Sequence, residues 1–110
     1  MLIGVIGDTH NNLRNIEKIV EIFEHHRVDR VVHTGDITQP KALDALARLS
    51  MPLFGVYGNN DQGEKPRLEA CAEQHGMRWV DGPLEVEWSG RSILVTHDPL
   101  DLARHLAPHH

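Results

Sequence analysis

Apolar residues come in short blocks along this chain, and the blocks alternate between two periodicities. Leu2–Gly7 is a continuous apolar, β-branched run that closes on Gly7-Asp8, which predicts a buried strand with a carboxylate at its C-terminal end. Leu13, Ile16, Ile19, Val20 and Phe23 then share one helical face, with Asn11 or Asn12 placed to cap it. Val28 and Val31-Val32 form a second strand-like run, and it too ends in Gly-Asp, at Gly35-Asp36. Pro40 suits the first turn of a second helix, on which Leu43, Leu46 and Ala47 share a face. Leu53–Tyr57 predicts a third strand, stopped by the turn-rich Gly58-Asn59-Asn60-Asp61. Pro66 opens a third helix with Leu68, Cys71, Ala72 and His75 on one face and Gly76 as its C-terminal cap. Met77–Val80, Leu84–Trp88 and Ser92–Thr96 read as strands separated by turns, His97 follows, and Leu100–Leu106 reads as a short helix broken by Pro108.

Strand-helix alternation predicts an α/β fold: a mostly parallel sheet with helices on its faces, turning to hairpins at one side. At 110 residues and 40% apolar content, the expectation is one domain over 1–110 with a modest core. Open α/β sheets bind ligands at the C-terminal ends of their strands. Asp8, His10, Asp36, Asn59 and His97 all fall at such ends, and their convergence there is the main functional signal.

Composition narrows the classes. A formal charge of −5 supplies no basic field for a phosphate backbone, which argues against nucleic acid as a partner. A phosphate-bearing substrate needs local positive charge, and bound cations can supply it. The single cysteine, Cys71, excludes an intrachain disulfide. No run is long enough to span a membrane and the apolar N-terminus is too short for a signal segment, so a cytoplasmic location is expected.

Asp8 and His10, two residues apart at a strand end, can project to the same side and meet one ion. Taken alone the pair is better read as a turn started by Asp8 and a helix cap aided by His10. Asp36 changes the balance, because a second carboxylate at a neighbouring strand end repels Asp8 unless a cation lies between them. Asn59 adds a neutral carbonyl and His97 an imidazole. Carboxylate and imidazole donors suit Mn²⁺, Fe²⁺, Ni²⁺, Co²⁺ or Zn²⁺, and paired ions about 3.5–4 Å apart can activate a shared hydroxide and clamp a phosphoryl group.

Gly7-Asp8-Thr9-His10, Gly35-Asp36, Gly58-Asn59-Asn60-Asp61 and Thr96-His97 together resemble the calcineurin-like metallophosphoesterase superfamily, in particular its small bacterial and archaeal phosphodiesterase branch. The resemblance implies a layered sandwich and two divalent ions, manganese first, with nickel, iron, cobalt or zinc as alternatives. It implies that Asp8 and His10 bind the first ion, that Asp36 bridges, and that Asn59 and His97 bind the second. It further implies a phosphodiesterase or phosphatase that hydrolyses a small phosphoester with a metal-bridging hydroxide. Many members carry a phosphate-contacting histidine where this chain has Asn60. Asn60 can hydrogen-bond a phosphoryl oxygen, and Asp61 is expected to orient the His10 or Asn59 region; both stand as candidate catalytic positions. After His97 the family pattern reads Gly-His where this chain reads Asp98-Pro99, and a later Gly-His-x-His block has no counterpart before His110. By that resemblance 1–110 is expected to be the N-terminal part of a longer domain.

The remaining histidines have plainer readings. His25-His26 suit the C-terminal end of the first helix and His75 that of the third, His33, directly before Thr34-Gly35-Asp36, reads as packed on its strand with a hydrogen-bonding role toward Asp36 as the alternative, and Cys71 as a small helix-face hydrophobe. His105, His109 and His110 are the only candidates within the chain to substitute for the missing ligands, and a ragged end is the favoured account. Arg14, near the start of the first helix, reads as a solvated surface residue, with contact to an anionic group as the alternative. The alternative to an enzyme is a non-catalytic scaffold on the same fold, since a half-closed sandwich leaves apolar surface for association, homo-oligomers included. A plain ligand-binding α/β module is the third class.

Overall fold

The computed structural model describes residues 1–10 and 12–97. The helix predicted over 100–106, the Pro108 break, His105, His109, His110 and the alternative cap Asn11 lie outside the described residues. Strands β1 (Ile3–Ile6), β2 (Arg30–His33), β3 (Leu53–Val56) and β4 (Arg78–Val80) form a parallel sheet in that order. Helices α1 (Leu13–His26), α2 (Pro40–Leu46) and α3 (Lys65–Gln74) make the crossovers, and a 3-10 turn over Asn59–Glu64 precedes α3. Strands β5 (Leu84–Trp88) and β6 (Arg91–Val95) form a separate antiparallel hairpin.

Local chemistry sets the helix ends as the pattern predicts. Asn12 caps α1 by accepting the Asn15 N–H at 3.2 Å. Gly76 follows α3 at φ +70, where its N–H donates to Glu73 O at 3.1 Å. A residue with a β-carbon pays for that left-handed conformation, which glycine adopts freely.

Two cores form, one on each face of the sheet. Alternation along β2 sends Val31 to a cluster with Ile16, Leu43, Leu46 and Leu68 from the helices, and Val32 to a cluster with Val56, Leu84, Val86 and Val95. The helices therefore form one layer and the hairpin covers the opposite face. This corrects the expectation of helices on both faces. Strand order runs β1-β2-β3-β4 without reversal, and crossovers of one hand in an unreversed order all pass over the same face. The first strand after α3 also differs from expectation, since β4 extends the parallel sheet rather than beginning the hairpins. Among the described residues, no helix is long and apolar enough to cross a membrane.

Candidate metal centre

Asp8 and His10 follow β1, Asp36 follows β2, and Asn59 opens the turn after β3, so all four stand at one edge of the parallel sheet. His97 arrives from the opposite face, just past β6. The β1–α1 and β2–α2 loops are laced together by Asp8 N–H to Gly35 O at 2.9 Å and His10 N–H to Asp36 O at 2.9 Å. The backbone is bent sharply here: Asp8 (φ 51), His10 (φ 49), Asp36 (φ 62) and Thr38 (φ 68) all adopt left-handed conformations. Such angles are uncommon for residues with a β-carbon and persist only where the surroundings enforce them.

One ligating atom each from Asp8, His10 and Asp36 lies within 4.8 Å of the others. Asp8 and His10 are exposed, whereas Asp36 is 5% exposed. Two carboxylates and an imidazole this close match the donor set of a borderline divalent cation, which would also remove the repulsion between the carboxylates. The residues present therefore fit a metal ion.

Asn60 grips the Asp36 carboxylate twice, through its backbone N–H to Oδ1 at 3.0 Å and its side-chain Nδ2–H to Oδ2 at 2.9 Å. Burial pushes the Asp36 carboxyl pKa up, but these two bonds, then His97 and Asp8, outweigh it and hold the group below its ordinary range. His97 donates from Nδ1 to Thr34 O at 3.0 Å, which turns Nε2 toward Asp36 Oδ2 at 3.6 Å. A ring anchored through Nδ1 on a backbone carbonyl presents Nε2 as its ligating atom.

Asp61 is fully buried and accepts three backbone N–H groups: Asp36 at 2.9 Å, Gly58 at 2.7 Å and Thr38 at 2.6 Å. It thus joins the loop that carries Asp36 to the turn that carries Asn59. No hydrogen bond from it to His10 is found among the described residues. Glycine is required where these loops touch: a β-carbon on Gly58 would sit 2.1 Å from Asp36 Oδ1, and one on Gly35 2.5 Å from His97 Nδ1.

Of the two readings the sequence offers for His33, packing and support of the Asp36 loop, the structure carries both, and the partner that sequence reasoning does not find is Thr9. His33 is fully buried, its Nε2 lies 2.8 Å from Thr9 Oγ1, and its Nδ1 accepts the Gly35 N–H at 3.0 Å. It packs against Trp79 at 5.1 Å between ring centroids, yet its polar atoms tie the two metal-edge loops together. The available signal was a histidine in an apolar strand run directly before Thr-Gly-Asp.

A profile of the calcineurin-like phosphoesterase superfamily domain matches residues 1–109. The chain is 34% identical over 98 residues to a phosphodiesterase of Methanocaldococcus jannaschii, covering 88% of this chain and 58% of that protein. It is 43% identical over 70 residues to a probable metallophosphoesterase of the same organism, covering 63% of this chain and 36% of that protein. A solved structure described as a novel archaeal phosphodiesterase superposes with a TM-score of 0.85 at 30% identity, covering 98% of this chain and 67% of its own. The chain thus spans little more than half the length of the first of these curated relatives and about a third of the second. Over the span it does cover, sequence and fold agree, and the chain belongs to the calcineurin-like phosphoesterase superfamily.

Proposed function

We propose that this chain carries the metal-binding edge of a phosphoesterase that hydrolyses a small phosphoester, a phosphodiester in the first place. The observation that carries the reading is the convergence of Asp8, His10 and Asp36 within 4.8 Å beside an anchored His97 imidazole. Asp8 and His10 would hold one divalent ion, Asp36 would bridge, and Asn59 and His97 would hold a second. Bound there, the ions supply Lewis acidity toward a phosphoryl oxygen and lower the pKa of water.

The chain's own residues divide the remaining work. The two Asn60 bonds offset the effect of burial on the Asp36 carboxyl and favour its anion, the form that binds cations. The Asn60 side-chain amide, which donates to Asp36 Oδ2 at 2.9 Å, would also be placed to donate to a phosphoryl oxygen bound at this edge. Asp61 acts as a positioning residue, because its carboxylate fixes the backbone on both sides of the cleft. His33 and Thr9 hold the Asp8–His10 turn against the Gly35–Asp36 turn.

Manganese with a generic phosphodiester such as bis-p-nitrophenyl phosphate tests the reading. Metal-dependent turnover that Asp36→Ala abolishes is expected, together with metal retained through gel filtration. A chain that neither retains metal nor turns over, with Asp36→Ala indistinguishable from it, would instead mark a non-catalytic scaffold.

A further inference from the structure

A second group of ligating side chains lies between two helices and shares no residue with the strand-end set. Asp44 on α2 places Oδ1 2.7 Å from His75 Nε2 and 3.4 Å from Cys71 Sγ, and one ligating atom from each residue lies within 4.8 Å of the others. Cys71 and His75 are four residues apart at the end of α3, the spacing that puts two side chains on one helix face. We propose that Asp44, Cys71 and His75 form a binding site for a zinc-class divalent cation that clamps α2 to α3.

Thiolate, imidazole and carboxylate are the donor types that zinc takes, and three protein ligands plus water complete a tetrahedron. Zinc bonds of about 2.0–2.3 Å set neighbouring donors roughly 3.3–3.6 Å apart. The Asp44–Cys71 separation of 3.4 Å already meets that spacing. The Asp44–His75 separation of 2.7 Å must open by about half an ångström to reach it, and the Asp44 side chain, 62% exposed, has the freedom to do so. Its exposure also leaves an entry path and room for a water ligand. Cys71 is itself buried, with Sγ 3.6 Å from Pro40 O as its other polar contact.

Without a metal the thiol pKa is pushed up to about 11, chiefly by burial and then by Asp44. A cation must therefore expel the thiol proton to solvent, so affinity rises with pH. Cys71 is the single cysteine of the chain, and a thiolate signal reports on this place alone, whatever ions the strand-end residues take.

Cobalt titration of the 110-residue chain reads that signal. The expected result is a near-ultraviolet thiolate-to-cobalt charge-transfer band that zinc abolishes on displacing the cobalt, with zinc also raising the melting temperature. Cys71→Ser should remove the band. His75→Gln, at the solvent-facing helix end, should weaken cobalt binding by about tenfold or more, whereas Asp8→Asn should leave the band unchanged. No thiolate band at saturating cobalt, or a band that His75→Gln and Asp44→Asn both leave at full affinity, overturns the site.

Discussion

Thr9 Oγ1 and His33 Nε2 meet at 2.8 Å inside the protein, joining the turn after β1 to the last residue of β2. The Gly35 N–H donates to Nδ1, so the ring proton sits on Nε2 and points at the threonine hydroxyl. Both bonds use the neutral imidazole, and protonation at Nδ1 would break the second. One uncharged side chain thus adds to the backbone bonds Asp8 N–H to Gly35 O and His10 N–H to Asp36 O that join the two loops.

That neutrality predicts a distinct acid response. Burial lowers the His33 pKa from its ordinary 6.5 to about 3, against a smaller upward pull from Asp36. The unfolded chain binds this proton first as pH falls, so stability is full above about 6.5 and is lost progressively toward pH 3. His33→Gln should flatten the upper part of this window, above the range in which carboxylates titrate, while lowering stability at neutral pH. Urea midpoints at intervals between pH 7 and pH 4.5 check it, and parallel curves for the two proteins would contradict it.

Asp61 offers a sharper loss. Its carboxylate satisfies three backbone N–H groups in a fully buried position, and each orphaned donor costs about 1–3 kcal/mol. Asp61→Ala should therefore destabilise by at least about 3 kcal/mol. Asp61→Asn keeps one acceptor oxygen and should fall between. Denaturant unfolding with unchanged slope is the measurement, and metal affinity at the strand-end site should fall in the same order.

Much of this architecture is legible in the sequence because local chemistry writes it there. Gly7-Asp8, Gly35-Asp36 and Gly58-Asn59 mark strand ends where the chain must turn, and Leu43 and Leu46 or Leu68 and Ala72 mark helix faces at the right period. What linear spacing does not carry is which ends touch. The Thr9–His33 bond spans 24 positions and the Asp36–Asp61 bond 25, so both depend on strand order, which periodicity leaves undetermined. The same order puts every crossover helix on one face. His75 reads from the sequence as a helix-end residue, and its backbone N–H closes the end of α3; its approach to Asp44, 31 positions away, depends on the packing of α2 on α3.

Gly58 tests how tightly the two loops are pressed together. A β-carbon there would fall 2.6 Å from Asp36 N as well as 2.1 Å from its carboxylate oxygen, whereas one on Gly63, in the same turn, would meet nothing within 4 Å. Gly58→Ala must push backbone against backbone and should cost about 1–3 kcal/mol, with the Asp36 carboxylate displaced. Gly63→Ala should change stability by less than about 0.5 kcal/mol. Thermal melts of the pair make the comparison, and equal effects would mean that the close approach is not maintained in solution.

His97 and Asn60 both address Asp36, one through an imidazole nitrogen at 3.6 Å and the other through two hydrogen bonds, and their substitutions should separate binding from turnover. His97→Ala removes a ring whose Nδ1 is anchored on Thr34 and whose Nε2 faces the cleft. Metal affinity should drop by about 10–100-fold, by analogy with the loss of groups that orient a ligand. Added manganese should recover much of the lost turnover. Asn60→Ala leaves the ligating atoms in place but deletes the side-chain bond to Asp36 Oδ2 and the amide available to a phosphoryl oxygen. Its metal content should match the unaltered chain while kcat falls by about 10²-fold, the scale set by removing one transition-state hydrogen-bond donor. Excess manganese should not restore it. If Asn60→Ala instead behaves as His97→Ala does, losing metal and recovering with manganese, then Asn60 serves the metal edge through Asp36 and has no direct part in the chemistry.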